Sequence, residues 1–100
     1  MMSSTVSAPS MKIPRQEEVI KIEYKGERIS TIVKSVIPHE GQKGAFWIWL
    51  QADQEIPKGE TVCWLVKEGR FPVSVHEVLR RKGQILIQLA AYQGAVPQQN

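Results

Sequence analysis

Cysteine is nearly missing from this chain. Cys63 stands alone, so no intrachain disulfide can form. A single thiol inside an apolar strand reads as a small buried hydrophobe in a reducing compartment, and the cytoplasm is the expected location. Histidine is confined to His39 and His76, and aspartate to Asp53. One cysteine and two distant histidines cannot supply the clustered ligands that zinc needs, so no metal and no cofactor is expected. The carboxylates Glu27, Glu40, Asp53, Glu55, Glu60 and Glu68 are scattered through turns. Phosphate-cradling loops of the Walker type, dinucleotide fingerprints and nucleophile elbows do not occur. The chain is therefore read as not an enzyme. No apolar run approaches the ~20 residues of a membrane span. The segment Met1–Ser10 has neither the basic start nor the apolar middle of a secretory signal.

What remains is an ordinary globular composition. Of 100 residues, 42% are hydrophobic, enough for one domain with its own core. The net charge of +3 permits an anionic partner without requiring one. The densest apolar stretch is Gly44–Lys67, which carries all three tryptophans. Within it, Ala45–Leu50 places Phe46, Ile48 and Leu50 on one face and Ala45, Trp47 and Trp49 on the other. Thr61–Val66 places Val62, Trp64 and Val66 against Thr61, Cys63 and Leu65. Period-2 alternation of β-branched and aromatic residues marks strands. Ile56-Pro57-Lys58-Gly59 fits a turn that joins them as a central pair.

The remaining strands follow from the same alternation. Val19–Tyr24 is half-buried, and Lys25-Gly26-Glu27 makes a tight hairpin turn into Arg28–Ile37. There Ile29, Thr31 and Val33 share one face, with Ile32 and Val36 on the other. His39–Gly44 is a polar loop with two glycines. Phe71–Val78 and Gln84–Ala90 complete the set, with Pro72 suggesting an edge or a bulge in the former. His76–Lys82 is the best helical window, yet its apolar members form no long stripe. No internal repeat is apparent. The expected architecture is all-β, a small meandering six-stranded antiparallel barrel of SH3- or OB-like size. It spans residues 15–93, between a disordered N-terminal arm (1–14) and a frayed tail (94–100).

Three features could carry binding. The glycines of the Pro38–Gly44 loop can bring backbone N–H groups to an anion, although connectors commonly hold such glycines for φ > 0 alone. Arg80, Arg81 and Lys82 could grip phosphates at a hairpin tip, although such charges also serve to keep a sheet edge soluble. The aromatic set could form a platform for stacking bases or could be core. Trp47 and Trp49 oppose Phe46, Ile48 and Leu50, and both faces of one strand cannot line a barrel interior. One tryptophan face must therefore meet an arm, a second subunit or a ligand.

The order of elements over residues 12 to 90 resembles a PilZ domain, a six-stranded barrel family associated with cyclic di-GMP. The likeness rests on an arm, a first hairpin, a glycine-ended loop, the Ile56-Pro57-Lys58-Gly59-Glu60 turn, and a closing hairpin into Gly83-Gln84-Ile85-Leu86-Ile87. In that family an arginine pair in the arm and a [D/N]-x-S-x-x-G loop hold the dinucleotide. The resemblance thus points to Lys12 and Arg15 in the arm and to His39, Gly41 and Gly44 in the loop. This chain has one arginine where the family has two, and His39-Glu40-Gly41-Gln42-Lys43-Gly44 keeps only the loop's spacing and final glycine. A lost guanine fork forfeits ~1–3 kcal/mol. The leading expectation is a non-catalytic PilZ-like module that binds a protein or another copy of itself through Trp47 and Trp49. Cyclic di-GMP binding is the alternative within the family. Single-stranded nucleic-acid binding through Arg80, Arg81 and Lys82 ranks below both, because +3 is a modest charge for it.

Overall fold

The computed structural model describes residues 12–67 and 69–93. They form six strands: β1 (Val19–Tyr24), β2 (Glu27–Pro38), β3 (Ala45–Ala52), β4 (Thr61–Val66), β5 (Gly69–Arg81) and β6 (Gln84–Tyr92). All neighbours are antiparallel, and the strands close into a barrel in the order β1-β2-β3-β6-β5-β4. The all-β six-stranded barrel read from the sequence is therefore present. Residues 1–11 of the segment read as an arm (1–14), and residues 94–100, read as a tail, lie outside the described residues.

The strand order is not a meander. β3 and β4 are not neighbours: β3 pairs with β6 over eight residues, and β4 pairs with β1 and β5. The Pro57 turn does form, with Glu60 N–H donating to the Pro57 carbonyl at 3.2 Å and Gly59 at φ 93°. It serves a different purpose, since the connection carries the chain across one end of the barrel. Ile56 turns inward from that connection and is fully buried. A turn signal fixes a local bend but not which strand comes to lie alongside.

The interior is filled by inward residues of every strand, among them Ile22, Val33, Ile48, Leu50, Val62, Val75, Ile87 and Leu89, each at most 1% exposed. Burying one such side chain contributes roughly 1.5–3 kcal/mol. Trp64 (6% exposed) belongs to this core, whereas Trp47 and Trp49 are half-buried on the outer wall. The expected opposition of Trp47 and Trp49 to Phe46, Ile48 and Leu50 is present, and the latter three face the interior; alternation alone did not place Trp64.

β2 and β5 are long because each serves two neighbours. β2 pairs with β1 from Glu27 to Ile32 and with β3 from Ile32 to Pro38. β5 pairs with β4 from Gly69 to Ser74 and with β6 from Val75 to Arg81. Each carries a bulge at the change of neighbour, between Val33 and Ser35 and between Val75 and Glu77. A bulge inserts one residue and re-phases the alternation. Hence Val36, expected on the face of Ile32, instead packs against the core, as does Val78. Of His76–Lys82, the best helical window, His76 to Arg81 is strand and Lys82 is turn. Pro72 lies in the part of β5 that has no ladder to β6, so its missing N–H leaves no bond unmade.

The structure also corrects the expectation of no internal repeat. Adding 42 to a residue number carries β1 onto β4 (Val19 to Thr61) and β2 onto β5 (Glu27 to Gly69). Adding 39 carries β3 onto the start of β6 (Ala45 to Gln84). The ladders follow: Ser35↔Trp49 becomes Glu77↔Gln88, and Ile37↔Trp47 becomes Leu79↔Leu86. So do the irregular hydrogen bonds. Glu17 N–H donates to the Val33 carbonyl (2.7 Å) and Val33 N–H to the Glu18 carbonyl (2.9 Å). Forty-two residues on, Gly59 N–H donates to the Val75 carbonyl (2.9 Å) and Val75 N–H to the Glu60 carbonyl (2.8 Å). Glu17 shares the positive φ of Gly59, at 72° against 93°. Pro14, the counterpart of Ile56, is likewise buried. The barrel is two copies of one three-stranded unit.

Candidate functional site

The most distinctive side-chain arrangement lies on the outer wall, where β3 runs beside β6. Alternation along β3 turns Trp47 outward, opposite Ile37 of β2 and Ala90 of β6. The bulge in β5 leaves His76 as the inserted residue, and bulges commonly re-aim a side chain. Its imidazole reaches the Trp47 indole with ring centroids 4.5 Å apart and a tilt of 37°. The small Ala90 between the two strands leaves that approach free. On the other side His39 meets the same indole at 5.1 Å and 35°. His39 Nδ1 stands 2.7 Å from the Glu40 carbonyl oxygen. Trp47 is thus held between two imidazoles.

Around this stack the wall is apolar and open. Ile37 and Tyr92 are 46% and 50% exposed, whereas Leu79, 42% exposed, lies toward the other end of the barrel, opposite Leu86. Trp49 continues the face one step along β3, opposite Ser35 and Gln88. Scattered apolar surface residues are normal, and aromatic residues are also enriched at protein contacts. The sequence located both tryptophans. It missed His76, Ile37 and Ala90, because their contribution depends on the bulge and on the β3–β6 pairing.

The other predicted residues are not gathered with them. Arg80 forms an ion pair with Glu55. Arg81 pairs with Gln84 in the ladder, and Lys82-Gly83 forms the turn itself with both φ values positive, at 51° and 76°. These residues sit at the end of the barrel opposite the His39–Gly44 loop, as the antiparallel ladders require. Arg15 has its backbone engaged locally: the main-chain N–H donates to Glu18 Oε1 at 2.9 Å, and its carbonyl accepts from the Glu18 N–H at 3.1 Å. Gly41 and Gly44 both adopt φ 85°, and the Gly44 carbonyl accepts the Gln93 N–H at 2.6 Å.

A surface cavity of about 380 Å³ lies where the arm meets this loop, lined by Ile13, Val36, Pro38, Gly44, Phe46 and Gln93 among others. Gly44 is the one predicted ligand residue on that lining; Lys12, Arg15, His39 and Gly41 are not. Its counterpart at the other end of the barrel is built differently. The equivalents of Ile13 and Pro38 are Glu55 and Arg80, the two members of the ion pair.

Among the described residues, no group of three His, Cys, Asp or Glu could hold a metal ion, and no helix is long and apolar enough to cross a membrane. Comparison with family models, curated proteins and solved structures finds no match for this chain. The PilZ resemblance accordingly rests on strand pattern and loop residues alone.

Proposed function

We propose that this chain is a non-catalytic interaction module, a PilZ-like barrel that binds another protein or a second copy of itself through the wall around Trp47. The observation that carries this reading is the outward indole of Trp47, held between His39 and His76 on a wall with Ile37 and Tyr92 exposed. A rigidly held aromatic with apolar neighbours loses little conformational freedom on binding, which is what interface anchors share. The test compares Trp47→Ser and Trp49→Ser in the full chain by sedimentation and urea unfolding. At least one should lower association tenfold or more while stability stays within about 1 kcal/mol of wild type. If both instead lose about 3–5 kcal/mol, the indoles act as core and the reading fails.

Cyclic di-GMP binding is the second reading, favoured by a cavity that joins the arm and the loop. Its apolar lining is poorly matched to phosphates, which call for arginine forks. Calorimetric titration with the dinucleotide decides it: absence of heat at tens of micromolar ligand ends this reading.

A further inference from the structure

We propose that this barrel is a covalently joined dimer of one three-stranded unit, and that its two internal seams are an interface able to accept the corresponding half of a second copy of the chain. The inference is independent of the wall around Trp47. It rests on the way the two halves meet.

The halves touch along two ladders, β1 with β4 and β3 with β6, and both have the form of a two-fold contact. Ile22 pairs with Trp64, its own counterpart 42 residues on. Trp49 pairs with Gln88, its own counterpart 39 residues on. In the longer β3–β6 seam the flanking pairs are exchanged as well: Ile48↔Leu89 maps onto Leu50↔Ile87, and both are present. Self-paired centres with exchanged flanks are what an isologous contact requires, where residue i meets j and j meets i. Each half therefore sees across each seam a surface like its own.

Chemistry persists beneath the geometry. Glu18, Lys25, Arg28, Val33 and Val36 recur at an offset of 42 as Glu60, Lys67, Arg70, Val75 and Val78. Ile48, Leu50 and Ala52 recur at an offset of 39 as Ile87, Leu89 and Ala91. The seams also hold polar ties between the halves, Arg70 Nη1 to Glu23 Oε1 at 3.1 Å and Tyr24 Oη to Glu60 Oε1 at 2.9 Å. Between Ala52 and Ile56 the halves are joined only by the exposed Asp53-Gln54-Glu55. Such a connection makes the seam contacts intramolecular through effective concentration. When it is too short to let the chain fold back, the same contacts form between two chains, which is domain swapping.

Cys63 provides the test, because its Cα partner across the seam is Glu23. Cα partners in an antiparallel pair stand ~4.5–5.5 Å apart, within disulfide range. The full chain carrying Glu23→Cys, refolded under mild oxidation, should close this disulfide within one chain and run as a monomer. The same variant lacking Asp53-Gln54-Glu55 should give a disulfide-linked dimer of twice the mass with an unchanged β spectrum. An intrachain disulfide in the shortened chain, or no disulfide in either, overturns the proposal. A second arm does not depend on the shortened chain folding. The full-length protein is cut once at a protease site placed between Asp53 and Gln54. Its two pieces should stay paired through gel filtration and, after separation in urea, the first piece alone should return as a dimer. Pieces that part under native conditions, or a first piece that stays monomeric, overturn it.

Discussion

The two halves share a backbone plan and differ at their far ends. In the first, β2 and β3 are joined by six residues, His39–Gly44, beside a cavity whose rim is apolar. In the second, β5 and β6 are joined by Lys82-Gly83, and the place equivalent to the cavity is taken by Arg80 and Glu55. The outer walls differ as well. Trp47 occupies the position matched by Leu86, and His76 the bulge position matched by Lys34, which pairs with Glu17 at 3.1 Å. In the second half that acid is replaced by Gly59, so the bulge residue has no carboxylate to hold it and turns to the indole instead. Shared backbone with divergent ends separates what the fold needs from what the chain has specialised.

That separation can be tested from the interior outward. Leu50→Ala and Leu89→Ala remove counterpart side chains that are both fully buried. Each should cost about 2–5 kcal/mol in urea unfolding, with the two values within about 1 kcal/mol of each other. A large disparity would show that the halves have diverged in packing as well as in sequence. Next comes Tyr24→Phe, which deletes the seam hydrogen bond to Glu60 and should cost about 0.5–1.5 kcal/mol, more if the carboxylate is left poorly solvated. No counterpart exists, since Val66 holds the equivalent place.

The positive-φ pair gives opposite signs. Gly59→Ala meets no atom within 4 Å but forces alanine to φ 93°, and should cost about 1 kcal/mol. Glu17→Gly relieves the same strain at φ 72° and should stabilise by up to about 1 kcal/mol, less the small share of the exposed Lys34 pair. Thermal melts resolve both. The smallest effect is expected for Arg80→Ala: with side chains 71% and 40% exposed, the Glu55 pair should contribute under about 1 kcal/mol. A larger loss on denaturant titration would mean that this ion pair, and not the short turn, holds the second end closed.

Much of this was legible in the residues. Strict alternation gave the bounds of β1 and β4 and set Trp47 and Trp49 opposite Phe46, Ile48 and Leu50, since a strand offers a side chain only two directions; which of these faces, and which face of β4, lies inward was not legible. The neighbours of those strands were not legible. Pairing β3 with β6 is settled by closure of the whole barrel, which no local window contains. Bulges at Lys34 and His76 add one residue without any glycine or proline to mark them, so Val36 was assigned to the wrong face. The duplication escaped notice because its matching residues are scattered and the offset changes from 42 to 39 inside the His39–Gly44 loop. For the candidate site, the sequence supplied the indoles and the physical reason to suspect them, while the histidine contacts needed three dimensions.

Pro14 and Ile56 have one last consequence. Larger barrels keep a lumen wide enough for a guest molecule. This one has six strands and an interior filled by side chains of every strand, and each unit adds one more buried apolar residue from the segment ahead of its first strand. The interaction proposed above therefore falls to the outer wall and not to the interior.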